Sequence, residues 1–119
     1  KSMSIILYHN PRCSTSRAAL AHLREHGIEP TIIDYQKTPL TRDEFATLAQ
    51  KEGISTRELL RSKEPLYREL GLDDPALGDD ALLDALAAHP ILLNRPIAAT
   101  ASRAIACRPA ERVLELLAS

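Results

Sequence analysis

The sequence predicts an α/β domain: a four-stranded mixed sheet flanked by helices. Three observations carry this. Ile5-Ile6-Leu7-Tyr8 and Pro30-Thr31-Ile32-Ile33-Asp34-Tyr35 are short apolar runs separated by an Ala/Leu-rich segment. Two Ser/Thr-x-x-Glu patterns then open a helical middle, and strand character returns near the C-terminus.

Taken in order, the first run reads as a strand. The Ala19, Leu20 and Leu23 stripe reads as a helix capped by Ser14 or Thr15 and ended by Gly27. Strand, helix and strand within about 30 residues form a βαβ unit, so the two strands run parallel. Thr41-Arg42-Asp43-Glu44 and Ser55-Thr56-Arg57-Glu58 match the capping box, each ahead of apolar residues: Phe45 and Leu48, then Leu59 and Leu60. A third helix is predicted from about Asp79 to Ala88, with Leu82, Leu83 and Leu86 inward. Residues 41–88 therefore read as a helical insertion, with a mobile polar loop near Leu72–Gly78.

Strand character reappears at Ile91-Leu92-Leu93 and at Ile97-Ala98-Ala99-Thr100. Ser102-Arg103 turns the chain into Ala104-Ile105-Ala106-Cys107, a hairpin. Pro109 suits the first turn of a closing helix whose stripe is Val113, Leu116 and Leu117.

Composition narrows the class. The 119 residues suit one domain, taken as 3–119, with 45% hydrophobic and 26% charged residues. Lys1-Ser2, ahead of the only methionine, reads as a remnant foreign to the domain. A net charge of −1 gives no reason to expect a nucleic-acid partner. No segment approaches the ~18 apolar residues of a membrane span. Cys13 and Cys107 form no Cys-x-x-Cys pair, since position 16 is Ser16. No second ligand pair joins His9 and Cys13, so no metal is expected. The expectation is a reduced, cytoplasmic monomer without a bound cofactor.

Cys13 is the residue that points to chemistry. It lies in His9-Asn10-Pro11-Arg12-Cys13-Ser14-Thr15-Ser16-Arg17, a polar turn between strand and helix. The unpaired N–H groups that open a helix favour an anion, and the thiolate is the nucleophilic form of cysteine. A thiol of pKa ~8.5 is only about 3% ionised at pH 7, so a lowered pKa changes its reactivity greatly. Arg61, near the end of the second insertion helix, Arg95 before Pro96 and Arg108 before Pro109 offer planar forks for a tetrahedral oxyanion. Arg12, Arg42, Arg57, Arg68, Arg103 and Arg112 read as solvated surface residues.

The Cys13 motif resembles the active-site motif of the glutaredoxin-dependent arsenate reductase family. The resemblance continues through Glu29-Pro30-Thr31-Ile32-Ile33 and through Gly53-Ile54-Ser55, Arg57 and Leu59-Leu60-Arg61. It resumes at His89-Pro90-Ile91-Leu92 and Asn94-Arg95-Pro96-Ile97 and ends at Cys107-Arg108-Pro109. It implies a thioredoxin-like fold with a helical insertion. Cys13 matches the family's nucleophile, and Arg61, Arg95 and Arg108 match its catalytic and oxyanion-binding arginines. His9 and Ser16 are expected to tune the thiol, and Pro96 matches the cis-proline of thioredoxin-like folds. The implied substrate is arsenate, with glutathione as co-substrate and glutaredoxin as partner. Two alternatives share the fold: a general glutathione-linked thiol oxidoreductase and a Spx-type RNA-polymerase-binding regulator. The regulators carry a Cys-x-x-Cys switch that Ser16 removes. A phosphatase-like Cys-x5-Arg loop is absent, because Ala19 stands at its arginine position.

Overall fold

Strand β1 (Ile6–His9), helix α1 (Ser14–Glu25) and strand β2 (Thr31–Asp34) form the βαβ unit in the computed structural model. The structure describes residues 4–117, so the Lys1-Ser2 assignment lies outside it. β1 and β2 pair in parallel, in register from Ile6 with Thr31 to His9 with Asp34. α1 ends where Gly27 takes φ +77° and its N–H bonds Arg24 O at 3.0 Å, while Ile28 N–H bonds Leu23 O at 2.9 Å. A side chain there would meet the left-handed penalty that glycine escapes.

β3 (Ile97–Ala99) runs antiparallel to β1, and β4 (Ala104–Ala106) antiparallel to β3, giving the sheet order β2-β1-β3-β4. The Thr100 N–H to Arg103 O bond of 2.8 Å closes the hairpin. This mixed sheet is the thioredoxin-like arrangement. Successive side chains alternate across it. Leu7, Ala98 and Ile105 pack with Ala19 and Leu23 of α1 and with the C-terminal helix. Tyr8, Ile97, Ala99, Ala104 and Ala106 pack on the other face against the 41–88 segment. Both faces of β3 and β4 are covered, so these two strands are apolar throughout.

In that segment, α2 (Arg42–Ala49) begins at Thr41 with a complete capping box. Glu44 N–H donates to Thr41 Oγ1 at 3.2 Å, and Thr41 N–H to Glu44 Oε1 at 2.8 Å. Ser55 and Glu58 make the same reciprocal bonds, at 2.8 and 3.2 Å, yet only one 3-10 turn, Arg57–Leu59, follows. Leu60 becomes extended to bridge Leu93, and that tertiary pairing outweighs the local helix signal. Arg61 therefore leaves an extended residue and not a helix. A short α3 (Pro65–Glu69) follows that the sequence reading did not anticipate.

α4 spans Asp79–Ala88 with Leu82, Leu83 and Leu86 buried. The Ile91–Leu93 strand is corrected: Pro90–Leu92 is a 3-10 turn, and only Leu93 pairs, in the single bridge to Leu60. Pro90 has no N–H to give a ladder, and its fixed φ suits the start of a turn.

The Leu72–Gly78 loop is tied down by Arg57, which is thereby no free surface residue. Its Nη1 donates to Leu72 O at 2.7 Å and Tyr67 Oη at 2.8 Å, and its Nη2 to Asp74 O at 3.0 Å. The closing helix, Ala110–Leu117, is 3-10 and starts after Pro109 rather than containing it. Ala110, Val113 and Leu116 form its buried face, the period of three that a 3-10 helix aligns. Leu117 is only partly buried. No helix among the described residues is long and apolar enough to cross a membrane.

Candidate active site

The Cys13 turn is built from β1 outward. Beyond His9 the chain reverses through Asn10–Arg12, closed by Cys13 N–H to Asn10 O at 2.9 Å. The Asn10 side-chain oxygen accepts Arg12 N–H at 3.0 Å, and Asn10 N–H donates to the buried Ser16 Oγ at 3.3 Å. Arg17 Nη1 reaches back to Pro11 O at 2.8 Å. These bonds set Cys13 as the N-cap of α1, extended at φ −91°, ψ 124°, with no side-chain oxygen capping the helix.

The predicted caps, Ser14 and Thr15, are displaced: Ser14 is the first helical residue. Sulfur takes the place where a capping oxygen usually accepts the second and third N–H groups. Burial, the largest single influence, pushes the Cys13 thiol up; the Ser16 and Thr15 N–H groups, Arg108 and Arg95 together outweigh it and hold the pKa below the usual thiol value. The thiol is only partly buried, so a small molecule can approach it.

Two arginines reach this sulfur. Arg108 follows the end of β4, and its Nη2 lies 3.6 Å from Cys13 Sγ. Its Nε donates to Arg95 O at 2.9 Å, which fixes one arginine on the backbone of the other. Arg95 precedes β3 and places its guanidinium against the thiol. The Arg95–Pro96 bond is cis, and so is Arg108–Pro109, which the sequence reading did not foresee. Pro96 O accepts Cys107 N–H at 2.9 Å, so the two arginine–proline segments lie side by side.

Arg61 stands further out. Its N–H donates to Leu92 O at 2.7 Å, and its side chain lines a cavity of about 130 Å³ together with Ser62, Lys63, Asn94 and Arg108. Arg108 thus belongs both to the thiol and to the cavity. Arg95 and Arg108 gather at sulfur, and Arg61 lines the adjoining cavity with Arg108.

His9 is 7% exposed, and its Nδ1 has no hydrogen-bond partner. Burial chiefly lowers its pKa and favours the neutral ring, aided by Arg17 and Arg24, while Asp34 opposes this by favouring the charged form. Cys107 is fully buried, and burial pushes its thiol up to about 12, so it stays protonated and packs as a hydrophobe. Among the described residues no group of three or more His, Cys, Asp or Glu side chains could hold a metal ion.

Sequence reasoning missed two residues. One is Asn10, whose signal is the turn-starting Asn-Pro dipeptide. Tyr35 was read only as the end of a strand. It is fully buried, and its hydroxyl lies beside the Asn10 and Arg95 side chains.

The family model described as ArsC family matches residues 8–116, from β1 to the C-terminal helix. The chain belongs to the ArsC family. It is 51% identical over 114 residues to an arsenate reductase of Escherichia coli strain K12, covering 96% of this chain and 81% of that one. An arsenate reductase of Neisseria meningitidis is 46% identical, with 95% of this chain and 97% of the other covered. Among solved structures, an arsenate reductase from Vibrio cholerae superposes with a TM-score of 0.87 at 45% identity, covering 97% and 98% of the two chains.

In this ArsC chain the arrangement offers an accessible thiol with a lowered pKa beside paired guanidinium forks. Such forks neutralise and orient a tetrahedral oxyanion, and the sulfur can then attack its central atom. The fully buried Ser16, bonded to Asn10, stands where a resolving thiol would be needed for an internal disulfide.

Proposed function

We propose that this protein is an arsenate reductase that works through a covalent Cys13 adduct, with glutathione as co-substrate and glutaredoxin as the partner that regenerates it. The observation that carries the reading is the N-cap thiol with Arg108 Nη2 at 3.6 Å. The similarity to proteins named arsenate reductase supports the choice of oxyanion.

Arsenate is held by Arg95 and Arg108, with Arg61 closing the cavity side. The Cys13 thiolate attacks arsenic and expels hydroxide, forming an As–S bond. The guanidinium groups stabilise the negative charge as it redistributes over the oxygens. The glutathione thiolate then attacks the adduct. The two sulfurs leave as a Cys13–glutathione disulfide, and their electron pair reduces As(V) to As(III), released as arsenite. A glutaredoxin thiol takes the glutathionyl group and frees Cys13. An external thiol is required because position 16 holds serine and Cys107 is sealed in the core. His9 and Ser16 tune the thiol, and the enzyme acts as a cytoplasmic monomer with no bound cofactor.

The test is arsenate-dependent NADPH oxidation in the presence of glutathione, glutaredoxin and glutathione reductase. Wild type should turn over and Cys13→Ser should not, while keeping its fold. Turnover of mixed disulfides without any response to arsenate would transfer the reading to a general thiol oxidoreductase.

A further inference from the structure

Tyr35 and Asn10 occupy equivalent places at the carboxyl ends of neighbouring parallel strands. The paired ladder stops at His9 and Asp34, and each chain steps off it at the next residue. Asn10 enters the Cys13 turn, and Tyr35 drops into the core beneath it with 0% exposure. Two polar atoms there are shut from solvent without a strict hydrogen-bond partner: the Tyr35 hydroxyl and Arg95 Nε. They belong to neighbouring side chains, since the phenol lies against the Arg95 guanidinium and the Asn10 amide. Buried polar groups normally find partners, and an orphaned donor beside an orphaned acceptor is an uncommon pairing.

We propose that Tyr35 is a positioning residue: its buried hydroxyl accepts from the rear of the Arg95 guanidinium, aiming the fork's outer N–H groups at Cys13 and at a bound oxyanion. This rests on the oxyanion reading of the site. Tyr35 has no surface of its own, so a substrate cannot touch it, and any effect must pass through Arg95. The Arg95 Nη1 contact to Ile91 O is long, at 3.5 Å, and is a weak tether for the other side of the fork. The phenol supplies the missing constraint. Burial, the main influence, keeps it protonated and neutral, so its oxygen can accept from Arg95 and from the Asn10 amide.

The test is Tyr35→Phe, which keeps the packed ring and removes an oxygen whose bond is imperfect, so the variant should melt at the wild-type temperature. Loss of a hydrogen bond to a charged group should raise KM for arsenate about tenfold and leave kcat less affected. Cys13 should also react more slowly with a disulfide reagent at pH below its titration midpoint. The same comparison is then made in an Arg95→Ala background, where Tyr35→Phe should add nothing to the loss of thiol reactivity. An unchanged thiol reactivity in Tyr35→Phe, or an equal decrement with and without Arg95, overturns the proposal. The thiol measurement uses no arsenate. A protein that proved inactive on arsenate would sink the functional reading while this arm still decided the Tyr35–Arg95 coupling.

Discussion

Replacing Arg108 by Gln should slow Cys13 below its titration midpoint and speed it above. Glutamine keeps a polar donor on a shorter side chain and removes the charge that stands 3.6 Å from Sγ. Coulomb's law over that separation gives about 1.2 kcal/mol at the dielectric of water and about 5 kcal/mol at an effective value of ~20. Solvent reaches the partly buried thiol, so the lower figure is the appropriate one. About 1.2 kcal/mol is roughly a sevenfold loss of thiolate at pH below the midpoint. A more basic thiolate is also intrinsically more nucleophilic, with a Brønsted slope near 0.45, which returns about half of the logarithmic loss. The net expectation is a reaction about threefold slower at low pH and about twofold faster on the high-pH plateau, so the two profiles cross. Stopped-flow reaction with an aromatic disulfide over a pH series measures this directly. Raising the salt concentration should bring the wild-type profile towards that of the variant. Superimposable profiles would refute the assignment of Arg108 as an electrostatic partner of the thiol.

Three further outcomes follow from the same geometry. The Cys13 pKa is lower in the folded than in the unfolded chain, so its ionisation adds stability that is fully present above the unfolded pKa and lost as pH falls through the folded one. The wild-type advantage in melting temperature over Cys13→Ser should therefore grow from acid towards pH ~9, and a constant difference would contradict it. Cys107→Ser should retain arsenate turnover in the coupled assay while losing about 1–3 kcal/mol in urea denaturation, because it buries a hydroxyl among apolar neighbours. Gly53→Ala should lower the melting temperature by several degrees: Gly53 has φ +96°, and a Cβ there would lie 2.7 Å from Ala104 O.

What the sequence made legible depended on how far each signal was local. α4 was predictable because Leu82, Leu83 and Leu86 repeat with helical spacing and lie buried as that spacing requires. The βαβ unit was predictable because Gly27 and the two apolar runs delimit it. The Ser55–Glu58 box, in contrast, forms its local bonds and still yields one turn, because the Leu60–Leu93 bridge is a contact between distant residues. The Ile91–Leu93 error has the same origin: a short apolar run does not say whether its burial comes from a ladder or from a turn. Arg57 looked like any surface arginine, since its acceptors at Leu72 and Asp74 are backbone carbonyls that leave no mark on composition. Cys13 stood out from its neighbours, but its role as the cap could not be separated from Ser14 or Thr15 without φ and ψ.

The arginines show why a site can be visible in a sequence while its geometry is not. Three like charges would repel if placed symmetrically round one sulfur, and the fold does not place them so. Arg95 and Arg108 share the thiol, and the Arg108 Nε bond to the Arg95 carbonyl lets one guanidinium be held by the other residue's backbone. Arg61 is anchored through its own N–H to Leu92 O and lines the cavity with Arg108. Ionisation of Cys13 would offset part of the inner pair's charge, and the cavity side carries Arg61, Arg108 and Lys63 as its charged lining. Arg108 is the one arginine common to the sulfur and the cavity. Under the proposed function, Arg61→Ala should raise KM for arsenate, Arg95→Ala should lower kcat, and Arg108→Ala should do both, as steady-state kinetics would show.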